Sequence, residues 1–105
     1  MVGRSNVTLQ FDPLAESAYM EITDSPVAQT VQVSDAVNVD LDEFGVVVGV
    51  EVLELSAPLP DKLLKIYHFP GTTSEQVKRL WPTISRLGID EFAETAAPAS
   101  FLQPA

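Results

Sequence analysis

Residues 40–51 read DLDEFGVVVGVE. Asp40, Asp42, Gly45 and Glu51 fall at the first, third, sixth and twelfth positions, the spacing of an EF-hand calcium loop. That chemistry needs oxygen ligands at positions one, three and five, a glycine for the sharp turn and a bidentate glutamate at twelve. The fifth position here is Phe44, which has no side-chain oxygen. The flanks also alternate like strands, whereas an EF-hand needs a helix on each side. An extended chain over 46–50 carries Glu51 far from Asp40. The remaining cation candidate is a weaker cluster of Asp40, Asp42 and Glu43.

Other chemistry is poorly supplied. The chain has no cysteine, which excludes disulfides, thiolate zinc sites and a cysteine nucleophile. His68 is the only histidine, so no cluster of histidine ligands can form within one chain. It sits between Tyr67 and Phe69, a setting that suits packing better than general-base work. Paired carboxylates do acid–base catalysis when burial drives their pKa values apart, but these acids fall on strand faces and turns. No glycine-rich phosphate loop is present. The expectation is a non-enzymatic protein with no catalytic residues, no cofactor and no metal.

The charge is lopsided. Of fifteen acids and six bases, residues 1–56 hold ten acids and one base, Arg4, while residues 57–105 hold five of each. The net charge of −9 therefore sits in the first half. Such a surface repels phosphate, so neither nucleic acid nor an anionic membrane is an expected partner. The N-terminus lacks an apolar signal core, and the run Val46–Val50 is too short to span a bilayer. A soluble cytoplasmic protein is the expectation.

The elements that must hold these residues fall into two halves. Val7, Leu9 and Phe11 alternate with polar residues, as do Ala18, Met20 and Ile22, then Val31 and Val33, then Val37, Val39 and Leu41, and Val46, Val48, Val50 and Val52 make the last strand. Period two places one side of each strand in a core and the other in water. Asp12-Pro13, Asp24-Ser25-Pro26, Ser34-Asp35 and Asp42 to Gly45 supply the turns. Asp12 and Pro13 predict one tight helical turn between the first two strands. Pairing Leu41 with Val46 keeps the valines on one face and leaves a four-residue loop, Asp42 to Gly45, with positive φ at Gly45. Asp40 then lies opposite Val47 and Asn38 opposite Gly49, with Val47 exposed.

The second half has helical period. A short helix is expected over 62–68. Thr73 then caps a longer one, with Gln76 reaching back as a capping box. Val77, Leu80, Trp81, Ile84 and Leu87 form its apolar stripe. Pro82 should kink or restart this helix, and Gly88 should end it. The reading is one domain over 1–105, of α+β class: an antiparallel β-meander of about four to five strands (6–55) within a sheet core (6–56), a helical extension (57–96) that covers the sheet, and a flexible tail (97–105). If the sheet closed instead by forming a homodimer, Trp81, Leu80, Ile84 and Phe92 would become a partner-binding face.

The segment FDPLAESAYM at 11–20, a valine-rich strand, and VNVDLDEFGVVVGVEVLELS at 37–56 together resemble the bacterial domain-of-unknown-function family 2283. Its members read like "YDPEADALYI" followed by "VDLDEDGRVVGIEILDAS". The resemblance covers residues 7–56. Phe44 and Leu14 depart from it, standing where the family has a polar turn residue and an acid. It implies a small β-rich bacterial domain with no established activity and no catalytic residues. By analogy with members beside small toxin genes, it also admits an antitoxin-like binder of a basic partner. The expectation is a protein-binding or assembly module, a homo-oligomer or a partner of a basic protein, with a small hydrolase or metal-dependent enzyme as the remaining alternative.

Overall fold

The structure, a computed structural model, describes the backbone of residues 7–101 and the side chains of residues 7–88. Five strands come first: β1 (Thr8–Asp12), β2 (Ser17–Glu21), β3 (Gln29–Ser34), β4 (Val37–Leu41) and β5 (Val47–Val52). Two helices follow, α1 (Asp61–Ile66) and α2 (Thr73–Phe101). The protein is α+β, an antiparallel sheet followed by C-terminal helices.

The spatial order is β1-β2-β5-β4-β3. A meander runs through β3, β4 and β5, and the β1–β2 hairpin closes on β5. The link from β2 to β3 therefore crosses the end of the sheet. It is held there by Ile22 and Thr23, whose amides donate to the Val48 carbonyl at 2.8 and 3.1 Å, and by Ala28, which donates to the Leu41 carbonyl at 2.8 Å.

Asp12 caps the β1–β2 turn as its position suggests. Its Oδ1 accepts the amides of Leu14 at 3.1 Å and Ala15 at 3.2 Å. The segment is a turn rather than a helical one, and it ends with Glu16 at φ 54°, in the left-handed region.

The β4–β5 hairpin departs from the expected register. Its loop is three residues, Glu43 to Gly45, because the Asp42 amide donates to the Val46 carbonyl at 2.9 Å. Within it the Gly45 amide donates to the Asp42 carbonyl at 3.0 Å, and Gly45 takes the expected positive φ, 81°. Side-chain parity disfavours a three-residue loop only in an unbroken ladder. Here the register slips between Asp40 and Leu41, which pair with Gly49 and Val47. Val48 is the extra residue of a β-bulge, and a bulge reverses parity along its strand. Val47, expected outside, is fully buried in the core cluster, together with Val50 and Val52. Asp40 accordingly faces Gly49 rather than Val47, and Asn38 faces Glu51 rather than Gly49.

The helices cover one side of the sheet. Val77, Trp81 and Ile84 of α2 and Leu63 of α1 join Met20, Val37, Val39, Val50 and Val52 in one core cluster. Fully burying each such side chain contributes roughly 1.5–3 kcal/mol. Trp81 also donates from Nε1 to the Ala57 carbonyl at 2.9 Å, which satisfies its polar edge inside the core. The His68 carbonyl accepts the Val47 amide at 2.9 Å, so the chain between the helices adds a parallel bridge beside the start of β5.

Three helical expectations change. The Glu75 and Gln76 amides donate to the Thr72 carbonyl, so the first helical turn closes on Thr72. Thr73 is buried instead, and its hydroxyl donates to the Pro70 carbonyl at 2.6 Å. Gln76 reaches to β1, where its Oε1 accepts the Val7 amide at 2.9 Å. The helix neither restarts at Pro82 nor ends at Gly88; it continues to Phe101, through 97–101 of the expected tail. Residues 102–105 lie outside the described residues. Gly88 serves packing: a Cβ there would come within 2.8 Å of the Leu55 Cβ.

Candidate functional surface

The ladder aligns two rows across the side of the sheet that the helices leave open. One row is Thr8, Glu21, Gly49, Asp40 and Thr30; the other is Gln10, Tyr19, Glu51, Asn38 and Gln32. These ten positions hold three carboxylates and no base. The alternate rows, such as Leu9, Met20, Val50, Val39 and Val31, face the helices.

A belt of hydrogen bonds crosses the open face. The Tyr19 hydroxyl donates to Asp40 Oδ2 at 2.8 Å, and the Thr30 hydroxyl donates to Asp40 Oδ1 at 2.6 Å. Tyr19 stands on β2 and Asp40 on β4, so the phenol must pass over β5. It does so at Gly49, where a Cβ would run into the ring. Glycine inside a strand thus marks the close approach of another group. In the second row, Asn38 Nδ2 donates to Glu51 Oε1 at 3.3 Å.

The electrostatics of this belt oppose ionisation of the phenol. Burial pushes the Tyr19 pKa well above its ordinary value of 10.0, and the hydrogen bond to Asp40 and the charges of Asp40, Glu21 and Glu51 add to it. A tyrosine so perturbed is a neutral donor at physiological pH. Both oxygens of Asp40 already accept hydroxyl protons.

The stretch from Asp42 to Gly45 is spent on its own turn. Asp42 Oδ1 accepts the amides of Phe44 at 2.8 Å and Val46 at 3.0 Å. Such an Asx arrangement fixes the turn. Among the described residues, no three acid, histidine or cysteine side chains group as metal ligands. Glu51 lies on the second row, across the ladder from Asn38.

The helical stripe goes to the core. Trp81 and Ile84 are buried and Leu80 is half-buried against the cluster, while the side chain of Phe92 lies outside the described residues. Sequence reasoning did not anticipate Tyr19. Its signal was the opposition of a strand glycine, Gly49, to a neighbouring strand's aromatic, which becomes legible only once β2 is known to pair with β5. Exposed apolar residues are scattered: Leu14 at one end of the sheet, Leu53 just after β5, Ile66 on α1, and Val27 with the 81% exposed Phe44 beside a groove of about 340 Å³ at the other end.

Residues 9–56 match the family described as protein of unknown function (DUF2283), and the helical half lies outside the match. No curated protein and no solved structure gives a significant match to the chain. No helix among the described residues is long and apolar enough to cross a membrane.

Proposed function

We propose that this protein is a non-enzymatic protein-binding module, and that its open sheet face receives a basic polypeptide. The observation that carries the reading is the make-up of that face. It spans five strands, no element among the described residues covers it, and its two rows hold Glu21, Asp40 and Glu51 with no base. Both oxygens of Asp40 are engaged, by Tyr19 and Thr30, whereas Glu51 accepts from Asn38 through Oε1, so Glu21 and Glu51 are the charges with acceptor capacity left for a partner. Their charge matches lysine or arginine, and complementary fields speed encounter and reject acidic partners. The Tyr19–Asp40–Thr30 belt holds four strands in register, which keeps the charges at fixed spacing before a partner arrives.

The same face disfavours two copies meeting front to front, since like charges would oppose. An acid face without a basic clamp also gives phosphates no purchase. The reading is of a cytoplasmic bacterial protein, with the antitoxin-like role as one specific form of it.

Backbone amide shifts of isotope-labelled protein test the surface directly. The probe is an extended peptide alternating lysine with threonine, and the control alternates glutamate with threonine. The lysine peptide should shift amides of β2, β5 and β4, and salt should reverse the effect. Shifts confined to α1 and α2, or none at all, contradict the proposal.

A further inference from the structure

We infer that the β3 edge pairs with the β3 edge of a second copy, giving a two-fold dimer with one continuous ten-stranded sheet. A sheet has two edges, and here they are β1 and β3. An edge strand offers a row of unpaired backbone donors and acceptors, and natural proteins blunt it with lysine, proline, a β-bulge or a cover. β1 is tied to α2 through the Val7 amide and Gln76, and it ends in Asp12. β3 reads Gln-Thr-Val-Gln-Val-Ser: six residues with no charge and no proline, paired, among the described residues, on one side only, with β4. The register shift between Gln32 and Ser34 is a bulge at one end of this strand, and Gln29, Thr30, Val31 and Gln32 before it form the regular stretch offered for pairing.

The occupant is a second copy because the seam suits like meeting like. Charge opposes contact between copies over the acidic face, but the β3 edge carries none. Val31 ends the apolar row Leu9, Met20, Val50 and Val39, is half-buried, and packs on the core cluster. In a symmetric antiparallel pair, two Val31 side chains approach across the axis, extending two cores into one. Thr30 and Gln32 meet their counterparts on the opposite face, where neutral side chains can hydrogen-bond across strands. A two-fold pairing of this kind closes, so it ends at a dimer rather than a fibre. It also sets two acidic faces side by side in one plane, while remaining independent of what those faces bind.

Sedimentation equilibrium of the whole chain tests the inference. Wild type should sediment at twice 11.4 kDa. Gln32→Lys, at an exposed position, should raise the dimer dissociation constant about tenfold or more, with circular dichroism and melting of the monomer unchanged. Thr8→Lys on the β1 edge should leave the dimer intact. Hydrogen exchange of wild type gives a readout that needs no variant: amides of 29–34 should gain protection as concentration rises. A wild-type monomer at the highest soluble concentration, a dimer that ignores Gln32→Lys but yields to Thr8→Lys, or protection of 29–34 that ignores concentration would each overturn it. Failure here leaves the acidic-face reading standing, since the peptide experiment reads a different surface.

Discussion

Tyr19, Gly49 and Asp40 act as one unit, and a double-mutant cycle can show it. Tyr19→Phe removes a hydrogen bond to a carboxylate at a half-buried site, so it should cost about 1–2 kcal/mol. Gly49→Ala drives the ring away and breaks the same bond, so it should cost a similar amount in the wild-type background and distinctly less beside Tyr19→Ala. Urea unfolding of wild type, Gly49→Ala, Tyr19→Ala and the double variant measures the coupling, and strict additivity would contradict the packing of Tyr19 over Gly49. The phenol also makes stability pH-dependent. Its pKa is raised on folding, so above the ordinary value of 10.0 the unfolded chain loses this proton first. The contribution is complete below that pH and falls as pH rises toward the folded value. Tyr19→Phe should therefore flatten the alkaline limb of the stability profile. In the sequence, the acids and their alternation were legible and the phenol's role was not. Asp40 and Asp42 look like equivalent ligands two residues apart, yet one serves a belt across four strands and the other its own turn. Only the strand order separates them.

At the scale of elements, strands were read well because period two is a local signal, and β1 to β5 fall where the apolar alternation lies. The β4–β5 register escaped because a bulge leaves no mark when the inserted residue is one valine among three. Val47 and Val48 are chemically alike, so sequence cannot say which one is doubled. Gly88 shows the same limit in α2. A glycine after an apolar stripe reads as a stop signal, but here it lets the helix pass Leu55. Helix propensity on its own would have Gly88→Ala stabilise by about 1 kcal/mol. The contact reverses the sign: a methyl group meeting the Leu55 Cβ, which cannot swing aside, should destabilise by about 1–3 kcal/mol. Leu55→Gly should relieve the clash and restore part of the propensity gain. Thermal melts of the two single variants and the double variant decide it, and a Gly88→Ala protein more stable than wild type would contradict the packing.

The whole molecule divides its labour by side and by edge. One face of the sheet is consumed by the helices, and this explains why Trp81, a natural anchor for a partner, is inside. The other face keeps the acids and stays open. The family match covers residues 9–56, which hold nearly all of the sheet, and the helices lie outside it. Charge asymmetry between the halves was plain in the sequence. What it lacked was the crossing from β2 to β3, which brings acids from β2, β4 and β5 onto one surface.

The most direct test of that surface is crosslinked capture. The whole chain is the bait in extract of its native host, with a reagent that joins carboxylates to amines, and the partner of Glu21→Lys/Glu51→Lys is compared with that of wild type. The expected catch is a basic protein that salt releases, whose lysines are joined to Glu21 and Glu51, and which the double variant does not retain. Crosslinks that fall only on the acids of α1 and α2, or equal retention by the variant, would contradict it.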